Sequence, residues 1–157
     1  MYKRKARVLF VAAELPWAAP MAAAYANALG SDWLESRCAS PGATGEDTRA
    51  IAVMAEARLD LRAQAVMVLD PDLLDWADLV VTLGPAAAAH DPALASHPRR
   101  KHWPVEDPRA RAGANEAVVL DRMRAERDEL RRRIEGMLGG LRMLGKSDSG
   151  VAPAPDG

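Results

Sequence analysis

Cysteine occurs once in the 157 residues, at Cys38. A single thiol excludes an intramolecular disulfide, a CxxC redox pair and a cysteine-based zinc site. Aromatic residues make up only 4% of the chain. The interior must therefore be filled by aliphatic side chains, alanine above all, which favours closely packed helices. No apolar run approaches the roughly 20 residues needed to cross a bilayer. The basic start, Met1-Tyr2-Lys3-Arg4-Lys5, leads into a short apolar stretch interrupted by Glu14 and Pro16. It lacks the long apolar region and cleavage site of a secretory leader, and the expected location is the cytoplasm. An excess of charge is also missing: 21 Lys and Arg face 22 Asp and Glu. Near-neutrality gives no global electrostatic case for binding nucleic acid or an anionic membrane. No cofactor motif is found and none is expected.

What is present is an alternation of strands and helices. Residues 6–13 (ARVLFVAA) form a continuous apolar run with β-branched members, the habit of a strand buried on both faces of a parallel sheet. Pro16 and Pro20 interrupt it, and a helix follows over residues 21–29, closed by Gly30. A second strand is predicted near residues 33–39, then a turn-rich loop. Asp47 is placed to cap a helix through Ile51, Met54 and Ala55. Asp70-Pro71 opens a short helix, residues 78–83 (DLVVTL) form another core strand, and a fourth strand is placed at residues 100–105. The longest helix spans residues 116–138, with Val119, Met123, Leu130, Ile134, Met137 and Leu138 on one stripe, and Gly139-Gly140 ends or loosens it. The folded domain is assigned to residues 1–144. Residues 145–157 are assigned to a disordered tail with almost nothing to bury. This order predicts an α/β three-layer sandwich, a parallel sheet with helices on both faces. Its ligand site would lie at the first β-to-α turn, residues 12–19.

The segment over residues 8–22 reads V-L-F-V-A-A-E-L-P-W-A-A-P-M-A. It resembles the low-molecular-weight protein tyrosine phosphatase and arsenate reductase family, whose members open with a strand ending Val-Cys, five loop residues, Arg-Ser, and often Pro-Met-Ala. In register, Ala12 stands at the nucleophilic Cys, Ala18 at the Arg and Ala19 at the Ser or Thr, while Pro20-Met21-Ala22 matches the helix start. Residues 39–42, 59–61 and 73–82 (LLDWADLVVT) are similar to further family segments. His102-Trp103-Pro104-Val105-Glu106-Asp107-Pro108 resembles the late segment whose Asp is the general acid in active members. The resemblance implies a low-molecular-weight phosphatase-like fold with a four-stranded parallel sheet.

In active members the resemblance implies a thiolate that attacks phosphorus, an Arg that grips the equatorial oxygens, and backbone N–H groups that hold the anion. Ala12 has no nucleophile, and Ala18 has no guanidinium fork to match a phosphate. Ala19 has no hydroxyl. Pro16 removes a backbone donor, and Glu14 adds negative charge at an anion site. The function expected is a pseudo-phosphatase, a non-catalytic binding or regulatory module. The alternative is an enzyme of a different, non-thiol chemistry, or residual phosphate-ester hydrolysis in the same cleft. Glu14, Leu15 and Trp17 are the candidate contacts for a protein partner or small apolar ligand. Trp17 has two placements, outward as a contact or inward as a plug. Asp107 is either a surviving acid or an ordinary Asp-Pro turn residue. His90, His97 and His102 have no fixed metal-ligand spacing, so no metal site is expected. Cys38 reads as a small buried hydrophobe, and the basic patches at residues 99–101 and 131–133 read as solvated faces.

Overall fold

A computed structural model describes residues 4–15, 17–41, 46–85, 92–110 and 115–149, the last six without their side chains. Five strands, β1 (Ala6–Ala12), β2 (Leu34–Ser40), β3 (Val66–Val68), β4 (Leu79–Leu83) and β5 (Arg100–Trp103), alternate with five helices. These are α1 (Ala18–Gly30), α2 (Thr48–Glu56), α3 (Pro71–Trp76), α4 (Pro92–Ala95) and α5 (Glu116–Ser149). The strands form one parallel sheet in the order β3-β2-β1-β4-β5.

The period-2 geometry of β1 divides its side chains between two cores. Val8, Phe10 and Ala12 enter one cluster with residues of α1, α2 and α5. Leu9 and Val11 enter the other, beneath α3 and α4. That two-sided burial explains the unbroken apolar run. Asp47 caps α2 by accepting from Arg49 N and Ala50 N. Asp70 caps α3 by accepting from Leu73 N, with Pro71 in the first turn. The C-terminus of α2 closes with Leu59 N donating to Met54 O and Arg58 N to Ala55 O. Arg58, at φ +63°, holds the left-handed position that usually falls to glycine.

Helix α1 packs on β1 and β2 and also against α5. A Cβ added at Gly30 would collide with Leu138 Cδ2, so glycine permits the close crossing. Helices α2 and α5 are tied by ion pairs. Glu56 meets Arg124 Nη2 at 2.9 Å and Arg127 Nη1 at 2.9 Å, and Arg127 Nη1 also donates to Val53 O at 2.8 Å. Arg131, Arg132 and Arg133 pair with Glu135 and Glu129 along α5 itself.

The sheet has five strands where four were expected. The extra one, β3, has three residues and largely exposed side chains, too short to show a period. Helix α1 begins three residues before the predicted start. Pro20 is tolerated because the first helical N–H groups have no intrahelical acceptor. Strand β5 stops at Trp103, before Pro104. Helix α5 continues through Gly139 and Gly140 to Ser149. Added Cβ atoms at both glycines meet open space, and the packing of Leu138 and Leu141 outweighs a propensity cost of about 1 kcal/mol per glycine. The first five residues assigned to the tail are therefore helical, and residues 150–157 lie outside the described ones. Among the described residues, no helix is long and apolar enough to cross a membrane.

Candidate functional site

The first β-to-α turn sits at the carboxyl end of the central strand. Ala12 ends β1 in register with Leu83 of β4. The chain bends through Ala13, Glu14 and Leu15, and α1 begins at Ala18. Ala12, Ala18 and Ala19 are fully buried, Leu15 is 2% exposed and Trp17 is 4% exposed. All five belong to the cluster that also contains Leu83, Trp103 and Val105. Of the two placements open to Trp17, the structure has the inward one. Glu14 is the exposed member of the three candidate contact residues. Leu15 and Trp17 face the core, so neither presents the outward apolar contact considered from the sequence.

The burial of Leu15 has an identifiable support. Gly84, just past β4, has φ +75°, and a Cβ there would stand 3.3 Å from Leu15 Cδ1 and 3.7 Å from Val105 O. The absence of a side chain at Gly84 makes room for Leu15 across the end of β4. The helix start is also partly used up, since Ala18 N donates to Leu15 O at 3.0 Å. A donor of the type that would hold an anion is thus satisfied within the turn. Among the described residues, Trp17 Nε1 is buried with no hydrogen-bond partner, which costs on the order of 1–3 kcal/mol. Apolar packing around the ring has to offset it. Pro16 lies outside the described residues.

Asp107 follows β5 on the approach to α5. Its Oδ1 accepts from Arg109 N at 2.9 Å, its carbonyl accepts from Ala110 N at 3.0 Å, and Arg109 Nε lies 3.6 Å from the carboxylate. That is the turn arrangement expected of an Asp-Pro pair. Glu106, Asp107, Pro108, Arg122 and Glu126 help line a hollow of about 260 Å³. Burial raises the Glu126 carboxyl above its ordinary value. Among the described residues, no hydrogen bond or ion pair joins Asp107 to the turn at residues 12–19.

The remaining candidates are structural. Cys38 is buried and its Sγ donates to Ala65 O at 3.4 Å. Burial pushes its thiol up to about 12, far from a thiolate at neutral pH. His97 Nδ1 accepts from Arg99 N at 3.1 Å, which leaves Nε2–H to donate toward Leu74 O and Ala77 O at 3.2 and 3.3 Å. The ring thereby satisfies carbonyls at the end of α3. His102 Nδ1 is 2.8 Å from Thr82 Oγ1, and His90 lies outside the described residues. Among the described residues, no group of three or more His, Cys, Asp and Glu is arranged to hold a metal. Sequence reasoning missed the supports of the turn, Gly84 and Val105. The glycine directly after a core strand was the available signal.

A parallel sheet, a β1–α1 turn at its centre and an Asp-Pro segment after the last strand define a low-molecular-weight phosphatase-like protein. Solved structures agree on the fold. "An arsenate reductase in the phosphate binding state" superposes with a TM-score of 0.72 at 21% identity, covering 87% of this chain and 98% of that one. An arginine phosphatase from Geobacillus stearothermophilus gives 0.68 at 21% identity, with 88% and 94% covered. Among curated proteins, an arsenate reductase of Bacillus licheniformis is 36% identical over 107 residues, 68% of this chain and 76% of the relative. One from Bacillus subtilis has the same identity and coverage. No family model matches the chain. At that identity and coverage, the chain belongs to the arsenate reductase and low-molecular-weight phosphatase family.

Proposed function

We propose that the protein is a non-catalytic member of this enzyme family, a pseudo-phosphatase of the cytoplasm that acts as a binding or regulatory module. The observation that carries this reading is the apolar filling of the first turn. Ala12, Ala18 and Ala19 stand at the family's Cys, Arg and Ser positions. Leu15 and Trp17 are buried among them in one cluster. Losing a single transition-state donor costs a typical enzyme about 10²–10³ in rate. Here nucleophile and clamp are absent together, which leaves no covalent phosphoryl step. A thiol relay has no support either, because the single cysteine is buried with its thiol near 12. The contact surface is the outer side of the turn, with Glu14 exposed on it and Leu15 and Trp17 holding it from beneath. With Leu15 and Trp17 buried and Glu14 outermost, it would take a protein partner and not a small apolar ligand.

The test is turnover of p-nitrophenyl phosphate and of arsenate with a thiol reductant, by the native chain and by Asp107→Ala. Neither protein is expected to exceed background. Turnover by the native chain that is lost in Asp107→Ala would overturn the non-catalytic reading. The binding half is tested with a photo-crosslinking amino acid at Glu14 in the source cells. One discrete adduct is expected, and its absence would remove the turn as the contact surface.

A further inference from the structure

Among the described residues, two half-buried arginines on the sheet lack the oxygen partner that the other half-buried arginines have. Arg49, Arg122, Arg124, Arg127 and Arg133 each lie against a carboxylate or a carbonyl oxygen. Arg7 and Arg37 are buried to a similar degree, and neither guanidinium has a hydrogen bond or an ion pair among the described residues. Their contact is with Trp76, the last residue of α3. Arg37 Cζ stands 4.3 Å and Arg7 Cζ 5.9 Å from the centre of its ring.

The strands explain why the two converge. Alternation puts Arg7 on the face of β1 that carries Leu9 and Val11, and Arg37 on the face of β2 that carries Ala39. That face lies under α3, and Leu9 pairs with Arg37, so the two arginines are diagonal neighbours on it. Stacking on an aromatic ring uses the flat face of a guanidinium. The N–H donors lie in its plane, and stacking satisfies none of them. The nearby carboxylates do not supply the acceptors. Asp78 acts on the Arg7 side chain only through space, because its oxygens are held by Arg4 at 2.6 and 2.9 Å and by Arg7 N at 2.8 Å. Glu35 sits beside Arg7 in the strand register and is exposed. Two positive charges are thus held on one ring by rigid elements with their donors free, the preorganised state that binds an oxyanion.

We propose that Arg7 and Arg37, held on Trp76, form a binding site for a dianionic phosphate monoester. A carboxylate has two oxygens and a single charge, enough for one guanidinium fork. A phosphoryl group has three terminal oxygens and a charge near −2 above its second pKa of about 6, which matches two forks. Arg7 is the second residue of β1, about 16 Å along the strand from Ala12. The site is therefore separate from the first turn and does not rest on the reading of that turn.

The test is a titration of the full chain with O-phosphoserine, followed by NMR of the Arg7 and Arg37 Nε–H and Trp76 indole N–H signals. All three should move and saturate, with a dissociation constant of about 1 mM or below. Binding should weaken about tenfold between about pH 7.5 and pH 5, as the dianion is lost. Arg7→Gln and Arg37→Gln should each weaken it about tenfold or more, the loss of a charged hydrogen-bond donor. Native circular dichroism serves as the folding control. Arg37→Lys keeps the charge and the aliphatic stem, and should also weaken binding because it lacks the fork. Arg131→Gln, on α5, should bind as the native chain does. Inorganic phosphate and a phosphoserine pentapeptide, titrated in parallel, identify the source within the proposal. Tighter binding of the peptide assigns the site to a phosphorylated chain, and equal binding assigns it to a small phosphate ester. The proposal is overturned by acetate moving the same signals with equal affinity, or by an affinity unchanged in Arg37→Gln. The absence of a saturable shift up to about 10 mM phosphoserine overturns it as well.

Discussion

The turn at residues 12–19 and the segment around Asp107 are the two candidate regions of the site, and they are built in opposite ways. The turn follows β1 with alanine at positions 12, 18 and 19, and it is packed with the buried side chains of Leu15 and Trp17. The Asp107 segment keeps its carboxylate and spends it locally, on Arg109 N and Arg109 Nε. One region is apolar and buried, and the other carries a carboxylate engaged within its own turn. A polar cradle emptied of its ligand would leave buried donors unsatisfied, so apolar filling is how such a site becomes stable. A surface turn faces no such demand and can keep its aspartate for an ordinary backbone bond.

If the turn has become core, its residues should behave as core. Trp17→Ala is expected to destabilise by about 3–5 kcal/mol, and Leu15→Ala by about 2–5 kcal/mol, the range for large buried side chains. Urea unfolding measures both, and losses below about 1 kcal/mol would mean the turn is not packed as described. Gly84→Ala should cost about 1–2 kcal/mol, because the residue has φ +75° and its new methyl would press on Leu15. Pairing it with Leu15→Ala should recover the packing part of that loss, a coupling that a double-mutant cycle reads directly. Asp107→Ala should cost only about 0.5–1.5 kcal/mol, the value of one hydrogen bond on a half-exposed side chain. A loss equal to that of Trp17→Ala would erase the contrast between the two regions.

The smallest effect concerns pH. Nothing in the buried part of the turn titrates, so acid sensitivity has to come from elsewhere. Hydrogen bonds from Arg124 and then Arg127 hold the Glu56 carboxyl down at about 2. The hydrogen bond from Arg4 holds Asp78 at about 2 as well, against partial burial. Both folded values lie below the ordinary ones. The stabilisation is therefore complete above the ordinary carboxylate range and is lost as the pH falls toward about 2. Glu56→Gln should flatten the dependence of the unfolding midpoint between about pH 5 and pH 2, and Leu15→Ala should leave its slope unchanged.

Much of the fold was legible because two-sided burial writes long apolar strings. Residues 6–13 and 78–83 could hardly be anything but central strands, and Asp70-Pro71 carried its cap on its face. Strand β3 was not legible, since Val66-Met67-Val68 is a strand only by virtue of its alignment with Cys38 to Ser40. The length of α5 was hidden for a similar reason. Gly139 and Gly140 signal an end locally, and what carries the helix past them is packing against α1. At the site, the apolar character of Ala12, Ala18 and Ala19 could be read directly, and all three are buried. The direction of Trp17 could not, because a turn has no periodicity. Its neighbour Leu15 is accommodated by Gly84, which arrives on another strand.

The crossing of α1 and α5 at Gly30 has a consequence for synthesis. Leu138, which covers that glycine, leaves the ribosome roughly a hundred residues after it, a delay of about 5–20 seconds at ordinary elongation rates. Until then the alanine-rich face of α1 has its strands but no lid. A stalled or truncated chain would carry that face uncovered, and a protein-quality system that binds apolar helices would find it there.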